Sequence, residues 1–462
     1  MNHHRAIELQ DRALALAAAG RVLSVAPSAV GNGRDLERGM PAWGALRLQP
    51  AAVATRHWST LAHPDETAAR ALDIAVAELR RRCAEVGWHD GPVWLAVPAS
   101  LPPQALGRLL GAAARLPLQI AGFIEASVAS AAALGLDRPA LALELGLHQM
   151  TAVALECGGQ IARRQVLSSE RGGLLELQEG WLGLLRKLCV RRTRFDPLHL
   201  ASSEQQLFES LPRVAREATL AGQAHVTVEG SGARFELTVT RDQLAEAGRW
   251  LYQELLQLLH RLRPAGAPVA LLLPQALLEW PGLRRALDEL HGCELVGLAP
   301  GFAAAAASAL TLPARTAAHT VPLLRRYVAQ PVPACAALAT RELLAQDPAM
   351  PAITHLRCGE RVVGLGREPL PIGRQGSEAP AIQLPEGMAG VSRHHCTLLQ
   401  EGVTTVLIDH SRFGTFVNGE RVRERVAVHA GDRIRIGEPG TELELLSLHP
   451  TSSSRDAPPS QS

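Results

Sequence analysis

Lysine is all but missing from this chain of 462 residues: Lys187 stands alone among 47 lysines and arginines. Any mechanism that needs an amine nucleophile or a phosphate-gripping lysine therefore has a single candidate. An imbalance of charge is missing too. The formal net charge of +2 gives no general pull toward nucleic acid or a membrane surface. Cysteines are few and unpatterned: seven of them, at 83, 157, 189, 293, 335, 358 and 396, with no CxxC pair. Such a set reads as buried or incidental thiols in a reducing cytosol. No run reaches the roughly 18–20 uninterrupted apolar residues of a spanning helix. The opening MNHHRAIELQDRALALAAAGR does not read as a signal peptide: Glu8 and Asp11 stand where a cationic region belongs, and Arg21 closes a short apolar run. The expectation is a soluble, cytoplasmic protein that neither binds nucleic acid nor inserts into a membrane. Its Ala-, Leu- and Arg-rich usage suggests a bacterium of high genomic GC content.

What is present falls into stretches of different texture. Residues 1–310 alternate β-like runs (ALALAAA, VWLAVPA, ALALELG, VALLLP) with long helical stretches such as ETAARALDIAVAELRRRCAEVG. That alternation predicts an α/β domain. Residues 311–351 are rich in proline and alanine and read as a linker with at most one helical turn. Residues 352–449 carry short strands between dense turn signals (GREP, QEG, NGER, HAGDR, GEPG), the pattern of an all-β sandwich. The tail, 450–462, has a disordered composition.

Within the third stretch PIGRQ (371–375), VSRHHC (391–396), LIDHSRFGTFVNGERV (407–422) and AGDRIRIGEPGTELELL (430–446) follow in series. Their order and spacing resemble a forkhead-associated (FHA) domain over essentially all of residues 352–449. The resemblance implies a β-sandwich whose loops bind a phosphothreonine peptide. A phosphothreonine brings about −1.5 to −2 charges and three acceptor oxygens, which a guanidinium fork and a hydroxyl suit. Carried over, Arg374 grips the phosphate, Ser392 donates its hydroxyl and Arg393 contacts phosphate or peptide backbone. Gly373 allows the turn before Arg374, and His395 fastens the loop from a buried position. Gly414, Asn418 and Gly419 shape the loops. Many relatives carry asparagine just before the GT, where it contacts the peptide. Here Phe413 stands there, flanked by Arg412, which leaves the preference for residues after the phosphothreonine open. A metal site at His394, His395 and Cys396 is disfavoured, since successive side chains on a strand point to opposite faces.

Residues 1–310 resemble, in the order of several segments, the two-lobed ATPase fold shared by actin and heat-shock chaperones. VWLAVPASLPPQALGRLLGAAARLPLQIAGFIEASVASAAALG (93–135) and ALALELGLHQMTAVALECGG (140–159) carry most of the likeness. The family's first phosphate loop reads roughly Asp-x-Gly-Thr, where this chain has Glu8-Leu9-Gln10-Asp11. Its second is glycine-rich, where Glu144-Leu145-Gly146-Leu147-His148-Gln149 keeps one glycine. Its adenosine loop carries Gly-Gly, where Pro274-Gln275 stands. Phosphates are cradled by backbone N–H groups that glycine brings close, so three altered loops point to a pseudo-ATPase without cofactor or catalytic residues. Glu8, Glu144 and Gly146 mark the vestigial nucleotide site.

Together these readings predict a scaffold or signalling adaptor whose FHA domain docks a Thr-phosphorylated protein, within a Ser/Thr kinase and phosphatase pathway. The alternative is a nucleotide-dependent ATPase regulated by its FHA domain.

Overall fold

Side chains alternate across the first strand, Arg5–Leu9, and that alternation organises the leading part of the molecule. Ile7 and Leu9 join one core, with Leu14, Leu16, Val93, Leu95 and Phe123. Ala6 joins another, with Ala15, Ala17, Trp94 and Ala96, and by the same alternation Glu8 shares its face. The helix Glu66–Glu85 covers the first core with Ala71, Ala75, Leu79 and Cys83. Its N-terminus is capped by Asp65, which accepts from Thr67 N–H at 3.2 Å. The second core holds two short helices, Ala126–Leu134 and Phe302–Ala309, buried on every side. Alanine on all faces lets them pack closely against each other and against the sheets.

This computed structural model describes residues 4–31, 40–169, 172–230, 232–263, 268–288, 290, 292–313, 321–343, 353–366, 368–374, 382–384, 388–401, 404–428, 431–437 and 440–446. The chain divides into two compact units, one of residues 1–263, 268–288 and 292–344, the other holding 345–462. Among the described residues no helix is long and apolar enough to cross a membrane.

The first unit uses one strand order twice. Arg5–Leu9, Ala13–Ala18 and Arg21–Pro27 form an antiparallel meander, and Pro92–Val97 then Gln119–Glu125 add in parallel beside the first strand. Ala140–Leu145, Met150–Glu156 and Gln160–Ser169 repeat the meander, with Val269–Pro274 and Cys293–Leu298 added in parallel. In each sheet the order is third, second, first, fourth, fifth, and an alanine-rich helix follows the fifth strand. The α/β character expected of this region is what the structure shows.

The proline- and alanine-rich stretch is where the expectation fails. Residues 311–351 have the composition of a linker, yet Leu323–Leu324 pairs in parallel with Phe123 and Ile124 on the edge of the first sheet. Arg326–Val328 pairs with Gln160–Ala162, and Ala339–Leu343 with Glu294–Leu298, on the two edges of the second. Between them Pro333–Ala336 makes one helical turn over the buried Cys335. The boundary at 310 therefore moves to about 344. The prolines stand outside the strands, Pro322 just before the first and Pro333 at the start of the helical turn, where a missing N–H costs no ladder bond. The expected tail, 450–462, lies outside the described residues.

The second unit is all-β. One sheet holds His355–Cys358, Arg361–Gly364, Thr415–Val417, Glu420–Arg421, Arg433–Ile436 and Thr441–Leu446. The other holds Leu370–Arg374, Ile382–Leu384, Cys396–Glu401, Thr404–Asp409 and Arg425–Val428. Their inner faces close on Leu356, Ile372, Leu398, Leu407, Ile434, Leu443 and their neighbours, a sandwich core of the expected kind.

Candidate functional site

The strand Leu370–Arg374 ends against the loop 391–395. His395 N–H donates to Ile372 O at 2.9 Å, and Arg374 N–H donates to Ser392 O at 3.1 Å. Gly373 lies between these two clips. A Cβ on it would overlap the carbonyl oxygen of Arg393, so glycine is what lets the segments close. The clip brings Arg374, Ser392 and Arg393 to one place.

His395 is fully buried, and its Nδ1 accepts from Ser392 N–H at 3.1 Å. Accepting there requires the neutral ring, with its proton on Nε2. Burial lowers its pKa, against opposing pulls from the Gly414 backbone and Asp409. His395 thus holds Ser392 in place from beneath and presents nothing to a ligand.

Asp409 shapes the second loop. Its carboxylate accepts from Ser411 N–H at 3.0 Å and from the Thr415 hydroxyl at 2.7 Å. Burial pushes this carboxyl up, but the Thr415 and Ser411 hydroxyls and N–H groups outweigh it and leave its pKa below the usual range. Ser411 Oγ in turn accepts from Gly414 N–H at 2.7 Å. Arg412 N–H reaches Ser392 Oγ at 3.4 Å and ties the two loops together. That bond uses a lone pair of Ser392 and leaves its O–H free to donate. Phe413, at the tip, is 68% exposed. Asn418 and Gly419 have φ of 51° and 86°, the left-handed pair of a two-residue hairpin turn. Asn418 Oδ1 also accepts from Arg433 N–H at 3.0 Å, so this pair builds the scaffold.

A sandwich that gathers arginines and a free hydroxyl on glycine-clipped loops is a phosphopeptide-binding module in class. Residues 370–437 match the FHA domain family, so the chain carries an FHA domain, and with it phosphothreonine-dependent protein binding in general. No curated protein matches the chain.

The histidines and cysteine of VSRHHC diverge. His394 is exposed and lies tilted against His410, ring centroids 4.3 Å apart, with Thr397 Oγ1 bridging both rings at 2.8 and 3.1 Å. Cys396 is buried on its strand, and burial pushes its thiol up to about 12. Among the described residues no cluster of three metal-ligating side chains occurs.

In the first unit the residues marked by the altered loops do meet in a cleft, but their charges are spent internally. Glu8 Oε2 accepts from Ala303 and Ala304 N–H at 3.1 and 3.3 Å, at the start of the helix Phe302–Ala309. Asp11 Oδ1 accepts from Leu147 N–H at 2.9 Å. A Cβ on Gly146 would stand 2.6 Å from that same oxygen, so the retained glycine makes room for Asp11. Glu144 Oε2 accepts from Ala99 N–H at 2.8 Å, and its other oxygen is buried without a partner among the described residues. The cavity bounded by Glu8, Glu144, Pro274, Gln275 and Phe302 is about 70 Å³. A second, lined by Asp11, Arg56, Ser100, Gly146, His148 and Gln149, is about 620 Å³.

Burial, reinforced by the nearby Glu125 and Glu8 carboxylates, raises the Glu144 pKa to about 8. A carboxyl raised in the folded state binds its proton more tightly there than when unfolded. Its contribution to stability is full below the unfolded value near 4.5 and is lost as pH rises to about 8. The melting temperature of the wild type should therefore fall across that window. Glu144→Gln, which keeps the shape without the ionisation, should flatten the fall, by an amount on the order of a few kcal/mol. Parallel melting curves of both proteins from acid to alkaline pH check this.

Sequence reading missed a buried group at Ser28, His57, Trp58 and Glu78. Ser28 Oγ donates to Glu78 Oε2 at 3.0 Å and accepts from Trp58 Nε1 at 2.8 Å, while His57 Nε2 meets the same Glu78 oxygen at 2.7 Å. Serine and carboxylate share one ring nitrogen and all four residues are at most 4% exposed. A nucleophilic triad instead needs its histidine between the two and open to substrate, so this cluster is a structural fastener.

Proposed function

We propose that this protein is a phosphothreonine-dependent scaffold. Its FHA domain docks a partner that a Ser/Thr kinase has phosphorylated and a phosphatase resets, and residues 1–344 serve as a pseudo-ATPase interaction body. The observation that carries the docking role is the conjunction at the loop end. The Arg374 guanidinium has no acidic partner among the described residues, and the Ser392 hydroxyl is free to donate beside it. Charge-assisted bonds contribute roughly 1.5–3 kcal/mol each, so a phosphate held by three gains about 5–9 kcal/mol before association costs. Micromolar binding, about −8 kcal/mol, then requires contacts to the rest of the peptide as well. The test is capture of phosphoproteins from a lysate on wild type and on Arg374→Ala. Proteins retained by both variants equally would count against the reading.

The repeated strand order supports a two-lobed body of the kind the actin and chaperone resemblance implies. Asp11 and Glu8 support the loss of nucleotide: each carboxyl occupies backbone N–H groups that a phosphate would need. One observation favours the ATPase alternative, the cavity of about 620 Å³ beside Asp11 and His148, which is of ligand size. Magnesium-ATP separates the two. A ligand at about 100 times its dissociation constant adds about 2.7 kcal/mol of stability, so millimolar magnesium-ATP should leave the melting temperature of a scaffold unchanged. A clear rise would show nucleotide binding and favour the ATPase reading over the scaffold.

A further inference from the structure

The FHA loop end holds more positive charge than one phosphate uses. The segment 421–425 runs back beside the loop 409–415: Val422 N–H donates to Thr415 O, and Asp409 N–H to Glu424 O, both at 2.8 Å. This return places the Arg421 side chain over Gly414, its Nε and Cζ at 2.6 and 3.2 Å from where a Cβ would stand. Gly414 has a φ of +98°, which also favours glycine there. Arg421 and Arg423 are exposed on either side of the buried Val422. Neither side chain has an acidic partner among the described residues, and the same holds for Arg374, Arg393 and Arg412. Against these five guanidinium groups the two segments offer Asp409, already satisfied by Ser411 and Thr415, and Glu424. Phe413, the residue before Gly414, is exposed.

We infer that Arg421 and Arg423 form a second anionic subsite, so that the preferred partner carries negative charge flanking its phosphothreonine. This rests on the phosphothreonine reading above and narrows its partner class. Phe413, exposed and next to Gly414 in the chain, stands where relatives of the domain present an amide. A guanidinium recognises a carboxylate or a second phosphate through the same forked donors, so acidic and doubly phosphorylated sequences share the required chemistry. Redirecting these surface arginines toward a ligand breaks no internal ion pair, so the opposing cost is the entropy of ordering their side chains.

The test is calorimetry on the full chain with three peptides: phosphothreonine in a neutral flank, the same with acidic flanks, and the same with a second phosphothreonine. Wild type should bind the acidic or doubly phosphorylated peptide roughly three- to tenfold more tightly than the neutral one. Which of the two wins identifies the source of the charge. In the Arg421→Ala/Arg423→Ala double variant the advantage should vanish while the neutral peptide binds as before. Arg421→Lys/Arg423→Lys should restore part of it. In about 1 M salt, where screening acts over about 3 Å, the advantage should shrink in wild type. Equal affinity for all three phosphopeptides in wild type, or an advantage that survives the double alanine variant, overturns the inference while leaving phosphothreonine docking intact. No binding of any phosphopeptide, with Arg374→Ala indistinguishable from wild type, overturns both.

Discussion

Arg374→Ala is expected to abolish phosphopeptide binding and leave folding untouched. The side chain leaves the end of its strand without an acidic partner among the described residues, so its removal orphans no buried group. The strand itself is held through backbone, by Arg374 N–H on Ser392 O at 3.1 Å, and that bond survives the substitution. What disappears is the ligand's fork. Two charge-assisted bonds at roughly 1.5–3 kcal/mol each amount to at least about a hundredfold in affinity. Calorimetry with a phosphorylated and a bare peptide, beside a melting curve, reads both quantities. His395→Ala should behave oppositely, lowering the melting temperature first, because it removes the buried acceptor of Ser392 N–H. Arg374→Ala with undiminished affinity, or His395→Ala with full stability and no binding, would reverse the two roles.

Gly373→Ala should damage folding and binding together. One methyl group here meets the Arg393 carbonyl, a backbone atom that cannot swing aside as a side chain would. The strand and loop must part, weakening the bonds from Arg374 N–H and His395 N–H. Overpacking costs about 1–3 kcal/mol and each lost bond about 0.5–1.5 kcal/mol, so about 3 kcal/mol is expected. In a domain of this size that lowers the melting temperature by on the order of 10–20 °C. Gly366→Ala is the control in the same domain, since its Cβ would find its nearest neighbour only at 4.0 Å. If Gly373→Ala melts with Gly366→Ala and wild type, the clip is not what aligns the loops.

The FHA site was legible because its constraints are local. A glycine before Arg374, a serine three places before the loop histidine and an Asn-Gly turn each fix the backbone within a few letters, and their spacing does the rest. The alternation of strands and helices in residues 1–310 was legible for the same reason, since its main strands and helices are long enough to show their period. The segment 321–343 was not. Strands such as Leu323–Leu324 and Arg326–Val328 are too short to display alternation, and they exist only because sheet edges offer them partners. Asp11 is visible in the altered first loop, but that its carboxylate sits on Leu147 N–H depends on a contact 136 positions away in sequence. The fastener at Ser28, His57 and Glu78 is equally non-local, and no spacing rule would join those three. Asp409 offered a usable signal, an acid two places before Ser411 in a loop.

The late strands also set where the molecule can be cut. A chain stopped at residue 310 would lose Leu323–Leu324 from one sheet and both outer strands from the other, baring three ladders of unsatisfied amides and carbonyls to solution. Such rims recruit other chains, and the product should clump. Carried through Leu343, the same body keeps its own hem.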